Sequence, residues 1–177
     1  GVPFNKDKKT LELQDVGLNS LYIADCYALA EMAGIIGRLD EQYELLERAE
    51  EFSHRLQDIW DPDLGAFLNY RTDVDTFSSR VSPTMFYPLL AGVGDKDQMD
   101  RIVGYFYDTN KFYGEWILPS TTRDDPLFLD QKYWRGAIWP PLNFLTYLSL
   151  RKSGYYRASS ELSERSLELI MSEWNNK

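Results

Sequence analysis

The chain has 177 residues, 44% of them hydrophobic and 27% charged, with a formal net charge of -9. That size and balance suit a single domain over residues 1–177 with its own core, and they exclude a disordered chain. The acidic balance argues against nucleic acid and anionic membrane surfaces as partners, and no apolar run reaches the roughly 20 residues of a membrane span.

Residues 1–12 are polar and mixed in charge, so no secretory leader is read there. Residues 16–36 then predict a helix. Leu18, Leu21, Tyr22, Leu29, Met32, Ala33 and Ile36 fall on one stripe, and Ile23, Ala24, Ala28, Ala30 and Ile35 fill much of the rest. A helix apolar nearly all round is expected to be buried, with Gly37 ending it. Asp25 lies within this pattern, either buried and paired or facing a pocket. Cys26 lies there too and reads as a buried thiol. As the lone cysteine it excludes an internal disulfide and fits a reducing, cytoplasmic compartment.

Asp40 is expected to cap a second helix running to about Trp60. Leu45, Leu46, Ala49, Phe52, Leu56, Ile59 and Trp60 form its inner stripe, and its other face is charged. His54, the one histidine, falls on that charged face. Cys26 and His54 together cannot build a zinc cluster, and no metal or cofactor is implied. Asp61-Pro62-Asp63-Leu64-Gly65 reads as a turn, with a short strand over Ala66–Tyr70. Pro83–Ala91 is short and almost wholly apolar. Asp95 caps a helix carrying Met99, Ile102, Val103 and Phe106 inward. Residues 110–139 lack helical period but hold Trp116, Tyr133, Trp134 and Trp139, so an ordered functional loop is expected. Pro140 and Pro141 start a helix to about Lys152, expected to be buried through Leu142, Phe144, Leu145, Tyr147, Leu148 and Leu150. A last amphipathic helix carries Leu162, Leu169, Ile170 and Trp174.

A buried helix is thus followed by a half-exposed one, three times over. The pattern is all-α and fits half of a six-hairpin α/α toroid. A helical bundle or solenoid fits the periodicity nearly as well. Aromatic residues reach 15%, with twelve Tyr and five Trp. Such side chains suit a pocket with an apolar body and a polar rim, as a sugar requires.

The richest segment is Tyr133-Trp134-Arg135-Gly136-Ala137-Ile138-Trp139-Pro140-Pro141. Arg135 offers a fork of donors for vicinal hydroxyls or a carboxylate, and Gly136 permits a sharp turn. The competing reading makes both tryptophans core and pairs Arg135 with a nearby aspartate. Glu115, between Gly114 and Trp116, is a further pocket candidate. Asp15 and Asn19 stand four apart at the start of the first helix; Asp15 is either a helix cap or a pocket group.

The tryptophan segment resembles the Tyr-Trp-Arg-Gly-x-x-Trp stretch of glycoside hydrolase family 63, the processing α-glucosidase family. Asp15-Val16-Gly17-Leu18-Asn19, Leu118-Pro119-Ser120 and Arg123-Asp124-Asp125-Pro126 are similar to its other segments, in order along the chain. The resemblance implies an inverting α-glycosidase of glucose- or mannose-containing α-glycosides, in a six-hairpin toroid. It places Trp134, Arg135 and Trp139 at a sugar subsite, with Tyr133, Asp15, Asn19 and Glu115 as further substrate contacts. The family's acid and base lie in Asp-Asn and Glu-Asn segments, and this sequence contains neither dipeptide. No catalytic residue is therefore assigned, and a fragment inactive alone is expected. Self-association through the open edges of the half ring is expected too. The alternatives are a non-catalytic helical scaffold and a trehalase-like toroid enzyme.

Overall fold

Asp15 opens the first helix by turning its side chain back on the chain: its Oδ1 accepts from the Leu18 amide at 2.7 Å. The computed structural model describes residues 2–174 and places six α-helices there, α1 Val16–Ile35, α2 Leu39–Gln57, α3 Tyr87–Ala91, α4 Lys96–Tyr107, α5 Pro140–Lys152 and α6 Tyr156–Trp174. A 3-10 turn, Pro83–Phe86, leads into α3. Seven two-residue strands pair in the loops: β1 Phe4–Asn5 with β2 Thr10–Leu11, β4 Trp60–Asp61 with β5 Ala66–Phe67, and β3 Leu13–Gln14 with β6 Tyr70–Arg71, which also pairs β7 Thr76–Phe77.

The helices form three hairpins. α1 packs on α2, α5 packs on α6, and α4 packs against the 3-10 turn before α3. α1, α3 and α5 lie side by side as the inner row. They run parallel. At one end Gly17 fits against Thr84 and the Val16 amide donates to Asn69 Oδ1 at 2.8 Å. At the other end Lys152 Nζ and the Ser153 hydroxyl donate to the Leu90 and Leu89 carbonyls at 2.7 and 2.9 Å. The outer helices return the chain. This is the expected toroid arrangement, seen as an arc of three hairpins.

The core between the rows is built from Ile23, Leu56, Phe67, Phe86, Leu89, Ile102, Phe106, Leu150 and Leu162, all fully buried. Several local expectations hold. Asp95 forms a capping box with Gln98. Gly37 takes the left-handed conformation at φ +77° and ends α1, with the Arg38 amide donating to the Ala33 carbonyl. Asp61 closes its turn by accepting from the Asp63 and Leu64 amides. Cys26 is buried and His54 exposed. Pro140 and Pro141 occupy the first turn of α5.

Other expectations are corrected. α1 is not buried all round. Its buried face is Val16, Gly17, Ser20, Ile23, Cys26, Ala30 and Ala33, while Leu18, Leu29, Met32 and Ile36 are exposed, Leu18 at 70%. Of the expected stripe only Ala33 is buried and Leu21 and Tyr22 half-buried; most of it faces outward, because close packing between inner helices favours small residues such as Gly17, Ser20 and Ala30. Asp25 is exposed, neither paired in the core nor in a cavity. The N-cap of α2 is Arg38, not Asp40, which sits in the first turn; α2 ends at Gln57, and Trp60 belongs to β4. The single strand expected over Ala66–Tyr70 is split between β5 and β6. On α5 the buried residues are Asn143, Thr146, Ser149 and Leu150, while Phe144 is exposed. Phe144 and Tyr147 line, with Leu167 and Ile170 of α6, an open apolar groove of about 480 Å³. Both edges of the arc thus present apolar side chains. Among the described residues, no helix is long and apolar enough to cross a membrane.

Candidate functional site

The N-terminal ends of α1, α3 and α5 receive the segment 2–15 and the long connections 58–82 and 108–139. The opposite end has only short turns. Chemistry-bearing loops are therefore gathered at one mouth of the arc, and the expected site residues lie there.

The 108–139 loop is pinned from beneath by α5. Asn143, 6% exposed, donates through Nδ2 to the Ile117 carbonyl at 3.0 Å and accepts from the Leu118 amide at 3.3 Å. Pro119 and Ile138 bridge as antiparallel neighbours, and the Ser120 amide donates to the Ala137 carbonyl at 3.0 Å. This brings the start of the loop against its end. Between them Lys132 and Arg135 exchange backbone hydrogen bonds and close a tight turn with Tyr133 and Trp134 at its tip. The turn needs unusual backbone. Gln131, Tyr133 and Gly136 have φ of +48°, +52° and +98°. At Gly136 a Cβ would stand 2.4 Å from the Phe128 carbonyl oxygen, so only glycine fits.

At the tip, Trp134 stacks on Trp139, with ring centroids 4.5 Å apart and planes 22° from parallel. Tyr133 meets both rings edge-on. The Trp139 indole N–H donates to the Tyr133 carbonyl at 2.8 Å. Trp139 is the N-cap residue of α5, so the cluster stands at an inner helix end. Trp134 remains 49% exposed and Tyr133 66%. Neither tryptophan is core. Arg135 is exposed rather than enclosed in a cavity, and its Nε lies 3.2 Å from Asp130 Oδ2. The pairing of Arg135 with a nearby aspartate, raised as the competing reading, is thus present.

Asp15 and Asn19 sit together at the α1 end. Asn69 donates to Asp15 Oδ2 at 3.1 Å, and Asn19 donates to the Asp15 carbonyl at 2.7 Å. Both Asp15 oxygens are engaged, as in the capping reading. Glu115 is apart from the aromatic cluster. Its side chain is exposed, and its carbonyl, with that of Gly114, accepts from Arg165 of the outer helix α6.

Two more carboxylates of this end, Asp124 and Asp125, are also tied. Asp125 accepts from the Leu127 amide and faces Arg80 at 3.9 Å. Asp124 accepts from Lys111 Nζ at 2.5 Å. Burial acts to raise the Asp124 carboxyl, but its hydrogen bonds and the Lys111 charge outweigh that and hold it below the usual range. This is the wrong direction for a proton donor, which needs a raised carboxyl. Among the described residues no cluster of three or more His, Cys, Asp or Glu is placed to hold a metal.

Sequence reasoning missed the residues that build this end: Asn69, Ser120, Asp130 and Asn143. Asn143 had a weak signal, a polar residue three past Pro140 in the mostly apolar first half of α5. Asn69 had none, and Ser120 entered only within the Leu118-Pro119-Ser120 resemblance, with no role assigned.

A family model for the mannosylglycerate hydrolase MGH1-like glycoside hydrolase domain matches residues 4–176. The chain belongs to this glycoside hydrolase family. The MGH1-like chain is 24% identical to a mannosylglycerate hydrolase of Thermus thermophilus over 162 residues, 88% of this chain and 37% of that protein. It is 23% identical to glucosylglycerate hydrolase of Mycolicibacterium hassiacum, across 89% of this chain and 36% of that one. In structure it matches a family 63 mannosylglycerate hydrolase of Thermus thermophilus in complex with glucose at a TM-score of 0.82, with 22% identity, over 90% of this chain and 40% of the other. Neutral trehalase of Saccharomyces cerevisiae matches at 0.76, with 21% identity, over 94% and 33%. The chain spans about a third of the length of the curated relatives it matches. The family 63 assignment read from the tryptophan segment and the toroid fold both hold.

Proposed function

We propose that this MGH1-like chain forms part of the sugar-binding mouth of an inverting α-glycosidase that acts on short glucose- or mannose-containing α-glycosides. The observation that carries the reading is the exposed Tyr133–Trp134–Trp139 cluster, braced at an inner helix end with Arg135 beside it. Trp134 offers its free ring face to the C–H face of a sugar. Arg135 offers donors to hydroxyls or to the carboxylate of a glycosylglycerate, the ligand class that the relatives' names suggest. Asp15, Asn19 and Glu115 are assigned lesser contacts at the same mouth. An inverting reaction needs a carboxylic acid and a carboxylate roughly 6.5–9.5 Å apart. Asp15, Asp124, Asp125 and Asp130 are each engaged by amides or cations here. The chain alone is therefore assigned binding without turnover.

The test is a titration of tryptophan emission with mannosylglycerate, glucosylglycerate and trehalose, alongside melting temperature. Trp134→Ala and Arg135→Ala are expected to abolish or weaken the response, by about tenfold for one charge-assisted hydrogen bond, while the melt changes little. Arg135→Ala lowering stability with affinity unchanged would make the segment a structural brace and end the pocket reading. A response to trehalose alone would favour the trehalase-like alternative. Hydrolysis that is lost in Asp15→Asn or Glu115→Gln would overturn the absence of turnover.

A further inference from the structure

The tip of the 132–135 turn holds a non-glycine residue, Tyr133, in the left-handed region at φ +52°. That conformation crowds the Cβ against the backbone and persists only where its surroundings over-determine it. Two groups converge on the Tyr133 carbonyl. One is the Trp139 indole N–H at 2.8 Å; the other is the Ser120 hydroxyl, at a longer 3.4 Å. The same Ser120 oxygen accepts from the Gly136 amide at 3.1 Å, so one hydroxyl donates to one side of the turn and accepts from the other. Ser120 is itself 4% exposed and fixed by its own amide, which donates to Ala137. Trp139 has its indole nitrogen committed to the Tyr133 carbonyl and one ring face covered by Trp134. The two tryptophans therefore differ in role: Trp139 braces, and Trp134 stands outward on it.

We infer that Ser120 is a positioning residue for Trp134, its hydroxyl holding the strained turn through the Tyr133 carbonyl and the Gly136 amide so that the Trp134 ring lies flat on Trp139. Ser120 touches no ligand in this scheme. The inference rests on the sugar-mouth reading for its purpose, and it stands on the turn's geometry for its mechanism.

Two stacked indoles couple excitonically, so the Trp134–Trp139 pair gives a couplet in the circular dichroism spectrum that reports ring orientation directly. In the whole chain, Ser120→Ala is expected to lose at least about half of that couplet, keep its helical signal, and weaken glycoside binding by about five- to tenfold, the size of one lost hydrogen bond. Tyr133→Asn keeps the carbonyl and places there a residue that tolerates left-handed backbone, so it is expected to keep the couplet. A full couplet in Ser120→Ala, or its loss in Tyr133→Asn to the same degree, would overturn the inference. Should Ser120→Ala not fold, Ser120→Cys keeps the volume with weaker hydrogen bonds and is read by the same two outcomes. A wild-type chain that shows the couplet but responds to no glycoside refutes the sugar reading alone; the couplet by itself decides the role of Ser120.

Discussion

The two ends of the arc join the same helices by opposite means. At the short-turn end, α1 passes to α2 and α5 to α6 through a few residues, with Gly37, Gly92 and Gly154 in left-handed conformations and open space around each. At the loop end, residues 58–82 and 108–139 do the same topological work at several times the length, tied by side chains reaching far along the sequence. Asn69 meets Asp15 across 54 residues, and Asn143 meets Ile117 across 26. The difference teaches that the long loops are not needed to close the helical scaffold. Their order must come from specific polar contacts, and that is where substitutions should be felt most.

The largest expected effect is at Asn143. Asn143→Ala strands a buried carbonyl and a buried amide in Ile117 and Leu118, at about 1–3 kcal/mol each, so a loss of about 3–4 kcal/mol is expected in urea unfolding. The matching brace at the short-turn end, the Ser153 hydroxyl on the Leu89 carbonyl, is half-buried, and Ser153→Ala should cost about 1 kcal/mol. Equal losses would break the contrast between the ends.

Next comes a pair of glycines. Gly136→Ala drives a methyl into the Phe128 carbonyl and is expected to cost about 2–3 kcal/mol and to disturb the Trp134–Trp139 stack. Gly92→Ala meets no atom within 4 Å and carries only the left-handed backbone penalty, about 1 kcal/mol. Thermal melts of the two variants side by side decide this, and a Gly92 variant as damaged as the Gly136 one would contradict it.

The smallest effect is electrostatic. Lys111 and Asp124 pair across the loop end, and the Asp124 carboxyl is depressed despite the opposing effect of burial. A depressed carboxyl contributes stability above the ordinary aspartate value of about 3.9 and loses it as pH falls through the lower folded value. The Asp124 side chain is 45% exposed, so screening limits the pair to about 0.5 kcal/mol. Melting curves of Asp124→Asn should lie slightly below wild type at neutral pH and merge with it in acid. A gap that widens in acid would reverse the sign.

Most of the scaffold was legible in the sequence because its signals are local. The Asp95 cap, the Gly37 stop and the Pro140-Pro141 start each act within a few residues, and the structure keeps all three. The inner face of α1 was not legible. Periodicity marks where apolar residues recur, but which face is covered depends on neighbours, and Gly17, Ser20 and Ala30 won that face by being small. The aromatic cluster was legible as a group of residues, since its members lie within seven positions. Its supports were not, because Ser120, Asn69 and Asn143 act across loops whose course no local pattern fixes.

Because α1, α3 and α5 are parallel, the chain must come back to the same mouth before each inner helix begins. Lengthening a connection there leaves the register of every helix untouched. The entropy of closing a loop grows only with the logarithm of its length, about 0.6 kcal/mol for each doubling. Residues can therefore be inserted into these loops, away from the braces at Asn69, Gly136 and Asn143, at a thermodynamic cost far below that of one buried side chain. The arc can thus lengthen its mouth between a few fixed braces while the helices beneath keep their places.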